Sequence, residues 1–260
     1  MRPFDADGAL DRFFNQPDDM DDQRILPNPS TDTTPPRKAA LLIIDVQEDF
    51  CPPNGSLAVK DGRKIAPIIN ELLGYLGFVL KIATVDSHPV NHISFAPLHP
   101  GAIPFRTEYT IKNPENGNET QTTVLWPVHC VTGTPGSKLI NEVQWGEINR
   151  LIEKGNDARV EAYSAFGPPF RHPMVSMSDL DQKLKEARIT DVFVVGLAYD
   201  YCVKDTALDA VELGYKTYVV QEGTKAVFQA PATLAATKKK LEEAGVSVIS
   251  LDDPLLEALK

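Results

Sequence analysis

Short apolar runs alternate with amphipathic segments from residue 39 onward, and this alternation restricts the possible folds more than any other feature. The apolar runs are short and continuous, which is typical of strands buried on both faces. Strands that alternate with helices form a parallel sheet covered on both sides. The pattern therefore predicts an α/β fold, a three-layer α/β/α structure with a mostly parallel, doubly wound sheet. The predicted strands are 39–44, 78–85, 148–153, 192–197, 216–221 and 246–251, and the predicted helices are 64–76, 178–187, 201–213 and 231–244.

Two segments depart from this alternation. Residues 1–38 are acidic and rich in Pro, Ser and Thr, so they have little apolar surface to bury, and we expect a mobile N-terminal extension. Within this extension, residues 9–14 could instead form a short helix that docks on the rest of the protein. Residues 98–126 contain several prolines and the Asn116-Gly117 pair, which predicts a long loop or a small inserted subdomain. The remainder, 39–260, is predicted to be one domain.

The charge balance excludes some classes of partner. Lys and Arg number 26 against 36 Asp and Glu, and the net charge of −10 argues against nucleic acid or an anionic membrane. Three cysteines are too few for a disulfide framework. No signal peptide or membrane span is recognisable, so we expect a cytoplasmic location, with the nucleus and the peroxisome as alternatives. The charge says nothing specific about small substrates. Independently of it, we expect a small-molecule substrate as the partner and a homo-oligomer.

Cys202 follows an apolar run and begins an amphipathic segment, which places it in the first turn of a helix at the carboxyl edge of the sheet. Unpaired amide groups and the helix dipole would stabilise a thiolate there and lower the pKa of the cysteine. The same amides could bind an oxyanion. Cys202 is therefore a candidate nucleophile, and a buried structural cysteine is the alternative.

Two charged residues lie at the ends of other predicted strands. Asp45 follows four apolar residues and could act as a poorly hydrated base, or its side chain could cap the next turn. Lys154 ends a strand directly before Gly155, where burial of an unpaired ammonium would be costly. Asp45 is the natural partner of this lysine, while an exposed lysine on an edge strand is the competing interpretation.

A candidate metal site follows the second predicted strand. Asp86 and His88 are two residues apart, so an extended segment turns both side chains to one side, which suits a divalent ion such as zinc. His129, in a second Pro-containing turn, is a candidate third ligand, and His92 is a candidate for a further one. The alternative is that these loop histidines are exposed and bind nothing.

Taken together, the motifs resemble the nicotinamidase branch of the isochorismatase-like cysteine hydrolases, in its eukaryotic or fungal-type form, across residues 39–251. Five blocks occur in the order typical of that family. One position departs from the family pattern: Ser87 stands where the family usually has Trp, so we expect the first metal-binding loop to pack differently. The blocks are Asp45-x-Gln47-x-Asp49-Phe50, Asp86-x-His88-Pro89-x-x-His92-x-Ser94-Phe95, Trp126-Pro127-x-His129-Cys130, Lys154-Gly155 with Tyr163-Ser164-x-Phe166, and Gly196-x-Ala198-x-Asp200-Tyr201-Cys202-Val203.

The resemblance implies a catalytic triad of Asp45, Lys154 and Cys202. It also implies a cis peptide bond before Ala198, with the amides of Ala198 and Cys202 directed at an oxyanion. The domain over 39–260 would then be an isochorismatase-like hydrolase domain.

The resemblance further implies one divalent metal ion, with zinc expected first and manganese or iron as alternatives. Asp86, His88 and His129 would hold it, with His92 as an additional candidate. An aromatic pocket for a flat ring is implied as well, formed by Phe50, Trp126 and Tyr163, although aromatic residues of this kind more often belong to the core.

The activity implied is hydrolysis of nicotinamide to nicotinate and ammonia through a cysteine thioester, a reaction of NAD salvage. Three alternatives stay open at this point. They are a cysteine amidase acting on a carbamoyl or ureido substrate, a hydrolase in which metal-activated water attacks directly, and a non-catalytic scaffold that keeps the fold.

Overall fold

A computed structural model describes residues 37–260. The extension predicted for residues 1–38, with the helix considered for 9–14, therefore lies outside the described residues except for its last two positions. Within the described range there are eight strands and five α-helices. The strands are β1 (Ala39–Ile44), β2 (Phe78–Asp86), β3 (Glu108–Lys112), β4 (Thr120–Val124), β5 (Arg150–Lys154), β6 (Asp191–Leu197), β7 (Lys216–Lys225) and β8 (Ser247–Ile249). The helices are α1 (Ala66–Leu73), α2 (Leu180–Glu186), α3 (Lys204–Glu212), α4 (Pro231–Glu243) and α5 (Pro254–Glu257).

Six strands form one parallel sheet in the order β5-β2-β1-β6-β7-β8. The chain moves from β1 outward to β2 and β5 on one side, and from β6 to β8 on the other. The direction therefore changes between β1 and β6, and ligands bind beyond the carboxyl ends of the strands at such a point. The predicted doubly wound α/β fold is confirmed.

Helices cover both faces of the sheet because the side chains of β1 alternate between two apolar cores. Leu41 and Ile43 pack in the same core as Ile69 of α1. Leu42 packs in the other core with Ala207 of α3. No helix in residues 37–260 is long and apolar enough to cross a membrane.

Several predicted boundaries shift in the structure. The helix predicted for 64–76 is a short turn at Gly62–Ile65 followed by α1. The helix predicted from residue 201 begins three residues later, after a wide π-type turn at Tyr199–Val203. The 98–126 segment, predicted as a loop or subdomain, contains the antiparallel hairpin of β3 and β4.

Candidate active site

Cys202 lies in the wide turn between β6 and α3, beyond the carboxyl ends of the central strands. The backbone of β6 approaches β1 closely at Gly196, where φ is +113° and an added Cβ would lie 2.1 Å from the carbonyl oxygen of Ile44. The Leu197–Ala198 peptide bond is cis, as the family resemblance implies. Cys202 itself is only 6% exposed, so the turn presents a buried thiol.

Lys154 ends the edge strand β5, yet its side chain points inward and is buried. Its Nζ lies 2.9 Å from Asp45 Oδ2, 2.5 Å from Asp86 Oδ1 and 3.5 Å from Cys202 Sγ. It also donates a hydrogen bond to the carbonyl oxygen of Ala162 at 2.9 Å. The interpretation of an exposed edge-strand lysine is therefore wrong, and the structure brings the three residues of the predicted triad together. Asp45, Asp86 and Cys202 also have ligand-type atoms within 4.8 Å of one another, but the ammonium already supplies positive charge there.

Asp45 is fully buried and is held by β2 and β5. The hydroxyl of Thr84 donates to Asp45 Oδ1 at 2.6 Å and accepts the backbone N–H of Asp45 at 3.1 Å. The carboxylate therefore bonds across the sheet, and its predicted alternative as a cap for the next turn is wrong. Burial raises the pKa of Asp45 although Lys154 acts to lower it. A carboxylate with a raised pKa is better suited to accept a proton.

The pKa of Cys202 departs from the sequence-based expectation. Burial raises the thiol pKa well above its usual range; Lys154 opposes the rise, and the carboxylates of Asp45 and Asp86 add to it. The expectation of a pKa lowered at a helix N-terminus is therefore wrong. The sulfur lies beside the carboxylate of Asp45, which can take its proton.

Asp86, His88 and His129 form a second cluster next to the triad, with one ligand atom from each residue within 4.8 Å of the others. His88 Nδ1 is hydrogen-bonded to the carbonyl oxygen of Gly155 at 2.8 Å. Its other ring nitrogen, Nε2, is buried without a hydrogen-bond partner and faces Asp86 Oδ2 at 3.5 Å. His129 Nδ1 is hydrogen-bonded to the carbonyl oxygen of Pro127 at 2.8 Å, which leaves Nε2 as its free ring nitrogen.

This donor set fits a divalent metal ion. Two imidazoles and a carboxylate, with a buried imidazole nitrogen that lacks a partner, are typical of zinc and of other first-row transition metals. Burial and the neighbouring His88 lower the pKa of His129 to about 4, so its ring is neutral and able to bind a metal. The interpretation that these histidines are exposed is wrong for His88 and His129, because both are buried.

His92 lies outside this cluster. Its ring stacks on that of His88 with centroids 4.0 Å apart, and its Nδ1 is hydrogen-bonded to Ser94 Oγ at 2.8 Å. The geometry therefore gives His92 a packing position behind His88 and does not bring its ligand atoms to those of the three candidate ligands.

Ser87, the departure from the family pattern, bridges the two ligand segments. Its hydroxyl is hydrogen-bonded to that of Thr132 at 2.9 Å. Thr132 also donates its backbone N–H to the carbonyl oxygen of His88 at 2.9 Å. The segment that carries His88 is thus tied directly to the segment that follows His129.

Gln47 belongs to the first motif block, but the sequence gives no role for it. Its Nε2 donates to the carbonyl oxygens of Asp86 at 2.8 Å and of Ser137 at 2.9 Å, and its Oε1 accepts the backbone N–H of Asp86 at 2.8 Å. Gln47 therefore fixes the backbone of a residue shared by the triad and the metal cluster.

A cavity opens onto Cys202 and onto two residues of the metal cluster, Asp86 and His129. The predicted aromatic residues Phe50, Trp126 and Tyr163 line it, and the indole N–H of Trp126 donates to the Tyr163 hydroxyl at 2.8 Å. Four further lining residues were not predicted as pocket members, namely Leu57, Glu161, Tyr201 and Val227.

Comparison with known proteins gives a consistent set of relatives. Residues 39–253 match the family model described as Isochorismatase domain. The chain is 34% identical over 215 residues to the nicotinamidase of Saccharomyces cerevisiae, and the alignment covers 80% of this chain and 98% of that protein. The crystal structure of the yeast nicotinamidase bound to the inhibitor nicotinaldehyde has a TM-score of 0.76 at 34% identity, covering 82% of this chain and 99% of the yeast chain. The pyrazinamidase of Pyrococcus horikoshii in complex with zinc has a TM-score of 0.63 at 29% identity, covering 82% and 99%.

Proposed function

Since this chain belongs to the Isochorismatase domain family, we propose that it hydrolyses nicotinamide to nicotinate and ammonia, an amidase reaction of NAD salvage. The observation that carries the proposal is the buried ammonium of Lys154, which contacts the candidate base Asp45, the candidate nucleophile Cys202 and the metal-cluster carboxylate of Asp86. The similarity to yeast nicotinamidase in sequence and in structure supports the choice of substrate.

The first half of the reaction forms a thioester. Asp45 accepts the thiol proton of Cys202 while Sγ forms a bond to the carboxamide carbon of the substrate. The amide oxygen becomes an oxyanion, for which the backbone N–H groups of Ala198 and Cys202 are the proposed donors. The loss of one such donor typically costs about 2.7–4 kcal/mol of barrier. Protonated Asp45 then gives its proton to the leaving nitrogen, the C–N bond breaks and ammonia departs.

The second half regenerates the enzyme. Asp45 accepts a proton from a water molecule whose oxygen attacks the thioester carbon. The C–S bond breaks, nicotinate forms, and the sulfur regains a proton from Asp45. Before the reaction begins, the neighbouring carboxylates outweigh burial and hold the pKa of Lys154 well above its usual value, so its ammonium faces the developing charge.

Asp86, His88 and His129 would hold one divalent ion, and we propose zinc, with manganese or iron as alternatives. When bound, the ion supplies a Lewis acid for the pyridine nitrogen and so orients the ring. The zinc complex of the Pyrococcus pyrazinamidase supports this choice. Phe50 and Trp126 would pack against the flat faces of the ring.

The proposal is tested by measuring ammonia release from nicotinamide with the wild-type protein and with Cys202→Ala in parallel. We expect release by the wild type alone. Release by both proteins would contradict the thioester scheme. Release by neither protein in zinc-containing buffer would contradict nicotinamide as the substrate, and carbamoyl or ureido amides would then be assayed.

Three expectations stay predictions. Homo-oligomerisation is tested by light scattering of the purified protein, and the cytoplasmic location by imaging of the tagged full chain. The division into an extension at 1–38 and a hydrolase domain at 39–260 is tested by limited proteolysis.

A further inference from the structure

The loop at residues 226–230, between β7 and α4, is attached to the nucleophile turn by one carboxylate. Asp200 lies two residues before Cys202 and is 6% exposed. Its Oδ1 accepts the backbone N–H of Val227 at 2.8 Å, and its Oδ2 accepts the backbone N–H of Phe228 at 2.9 Å. The proposed reaction makes no use of this carboxylate.

These two hydrogen bonds fix part of the cavity wall relative to the sulfur. Val227 lines the cavity together with Tyr201, and the ring of Phe228 lies 6.3 Å from that of Tyr201. The 226–230 loop is attached on its far side by Gln229, whose side-chain amide donates to the carbonyl oxygen of Lys60 at 2.8 Å. Asp200 therefore determines how far Val227 stands from the nucleophile turn.

We propose that Asp200 is a positioning residue that sets the size limit of the substrate cavity through Val227, an inference that rests on the proposed amidase function. A carboxylate suits this role because two N–H groups need two acceptor oxygens, and hydrogen bonds to a charged acceptor are strong. Asparagine has the same shape but only one acceptor oxygen, so its NH₂ group would face one of the two N–H donors. Asp200→Asn should therefore weaken the attachment of the 226–230 loop while keeping the volume of the side chain at position 200.

The kinetic test compares Asp200→Asn with Asp205→Asn. Asp205 lies on α3, pairs with Lys204 at 3.3 Å and serves as a matched control for the same chemical change. For Asp200→Asn we expect the KM for nicotinamide to rise by about tenfold or more while kcat stays within about threefold of the wild type. The rate on ring-alkylated nicotinamides relative to nicotinamide should rise, and Asp205→Asn should match the wild type in all three values. A fall in kcat with unchanged KM would overturn the proposal, because it would place the effect on the nucleophile turn.

A second readout, hydrogen–deuterium exchange of the 226–230 loop, does not depend on the substrate. In the wild type the amides of Val227 and Phe228 should exchange slowly although Phe228 is 37% exposed, and in Asp200→Asn they should exchange about tenfold faster or more. Fast exchange in the wild type, or equal exchange in both proteins, would overturn the proposal. The wild-type measurement decides the matter even if Asp200→Asn fails to fold. If the wild type releases no ammonia from nicotinamide, the proposed function fails while the exchange experiment still tests the role of Asp200.

Discussion

Replacing Lys154 with methionine should destabilise the protein strongly, because its single ammonium is paired with two buried carboxylates. Asp45 and Asp86 are 0% and 4% exposed, and the lysine Nζ lies 2.9 and 2.5 Å from them. Methionine keeps most of the side-chain volume but removes the charge. Removal of one partner from a buried ion pair costs about 3–5 kcal/mol, so we expect a loss of about that size in the free energy of unfolding.

The assay is urea unfolding in chelator-containing buffer, applied to the wild type, Lys154→Met, Asp45→Asn and the double variant. The double variant should be more stable than Lys154→Met by about 1–3 kcal/mol, because one unpaired buried charge is removed. A deficit below about 1 kcal/mol for Lys154→Met, or a double variant no more stable than Lys154→Met, would refute the reasoning.

The same deficit should depend on pH. Burial raises the pKa of Asp45 even with Lys154 present, and loss of the lysine removes the opposing effect. A folded-state pKa above the unfolded value of about 4 costs stability at higher pH, and this cost is relieved as the pH falls through the folded pKa. The deficit of Lys154→Met should therefore shrink as the buffer is acidified from about pH 7 to about pH 5.

Three further results are expected. The rate at which iodoacetamide alkylates Cys202 should continue to increase from about pH 7 to about pH 9, because burial holds the pKa of Cys202 well above the usual range. A rate that reaches its plateau below about pH 8 would contradict this. His88→Ala should weaken zinc binding by about a hundredfold or more in competition with a chelator. As a control, His172→Ala changes a side chain that is 89% exposed and should leave zinc binding unaltered. If His88→Ala and His172→Ala bind zinc equally well, His88 is not a zinc ligand. Gly155→Ala should lower the free energy of unfolding in urea by about 1–3 kcal/mol and should also weaken zinc binding. The reason is that Gly155 has φ +72° and an added Cβ would lie 2.5 Å from the His88 ring. Wild-type values in both assays would show that the alanine causes no strain.

The fold could be predicted where a buried element consists of consecutive apolar residues. Strand β1 is buried at every position, so its apolar run alone indicates a central strand. The boundaries of β5 were less accurate because this edge strand exposes Arg150 and Glu153 and has no continuous apolar run. The hairpin of β3 and β4 was missed because most of its side chains are exposed or half-buried, and its cross-strand contacts join polar residues such as Thr110 and Thr122 at 3.0 Å.

The candidate site could be nominated because its ionisable residues directly follow predicted strands. The roles of Gln47 and Asp200 could not, because their partners are backbone groups 39 and 27 positions away in the chain. The sequence does not show which backbone N–H or carbonyl group a side chain will bind. Only the folded chain shows that Gln47 fixes Asp86 and that Asp200 holds Val227.

The wrong expectation for Cys202 follows from the relative size of two electrostatic effects. A charge at a helix terminus gains about 0.3–1 kcal/mol from the dipole, which is less than one pKa unit at about 1.36 kcal/mol per unit. Full burial can shift a pKa by about 3–5 units, so it outweighs the dipole for a cysteine that is 6% exposed. The sequence motif indicates that a helix follows Cys202, but it does not show how deeply the thiol is buried. Because burial raises the pKa of the thiol, a proton acceptor beside it favours the attack, and Asp45, whose own pKa is raised by burial, can serve as that acceptor.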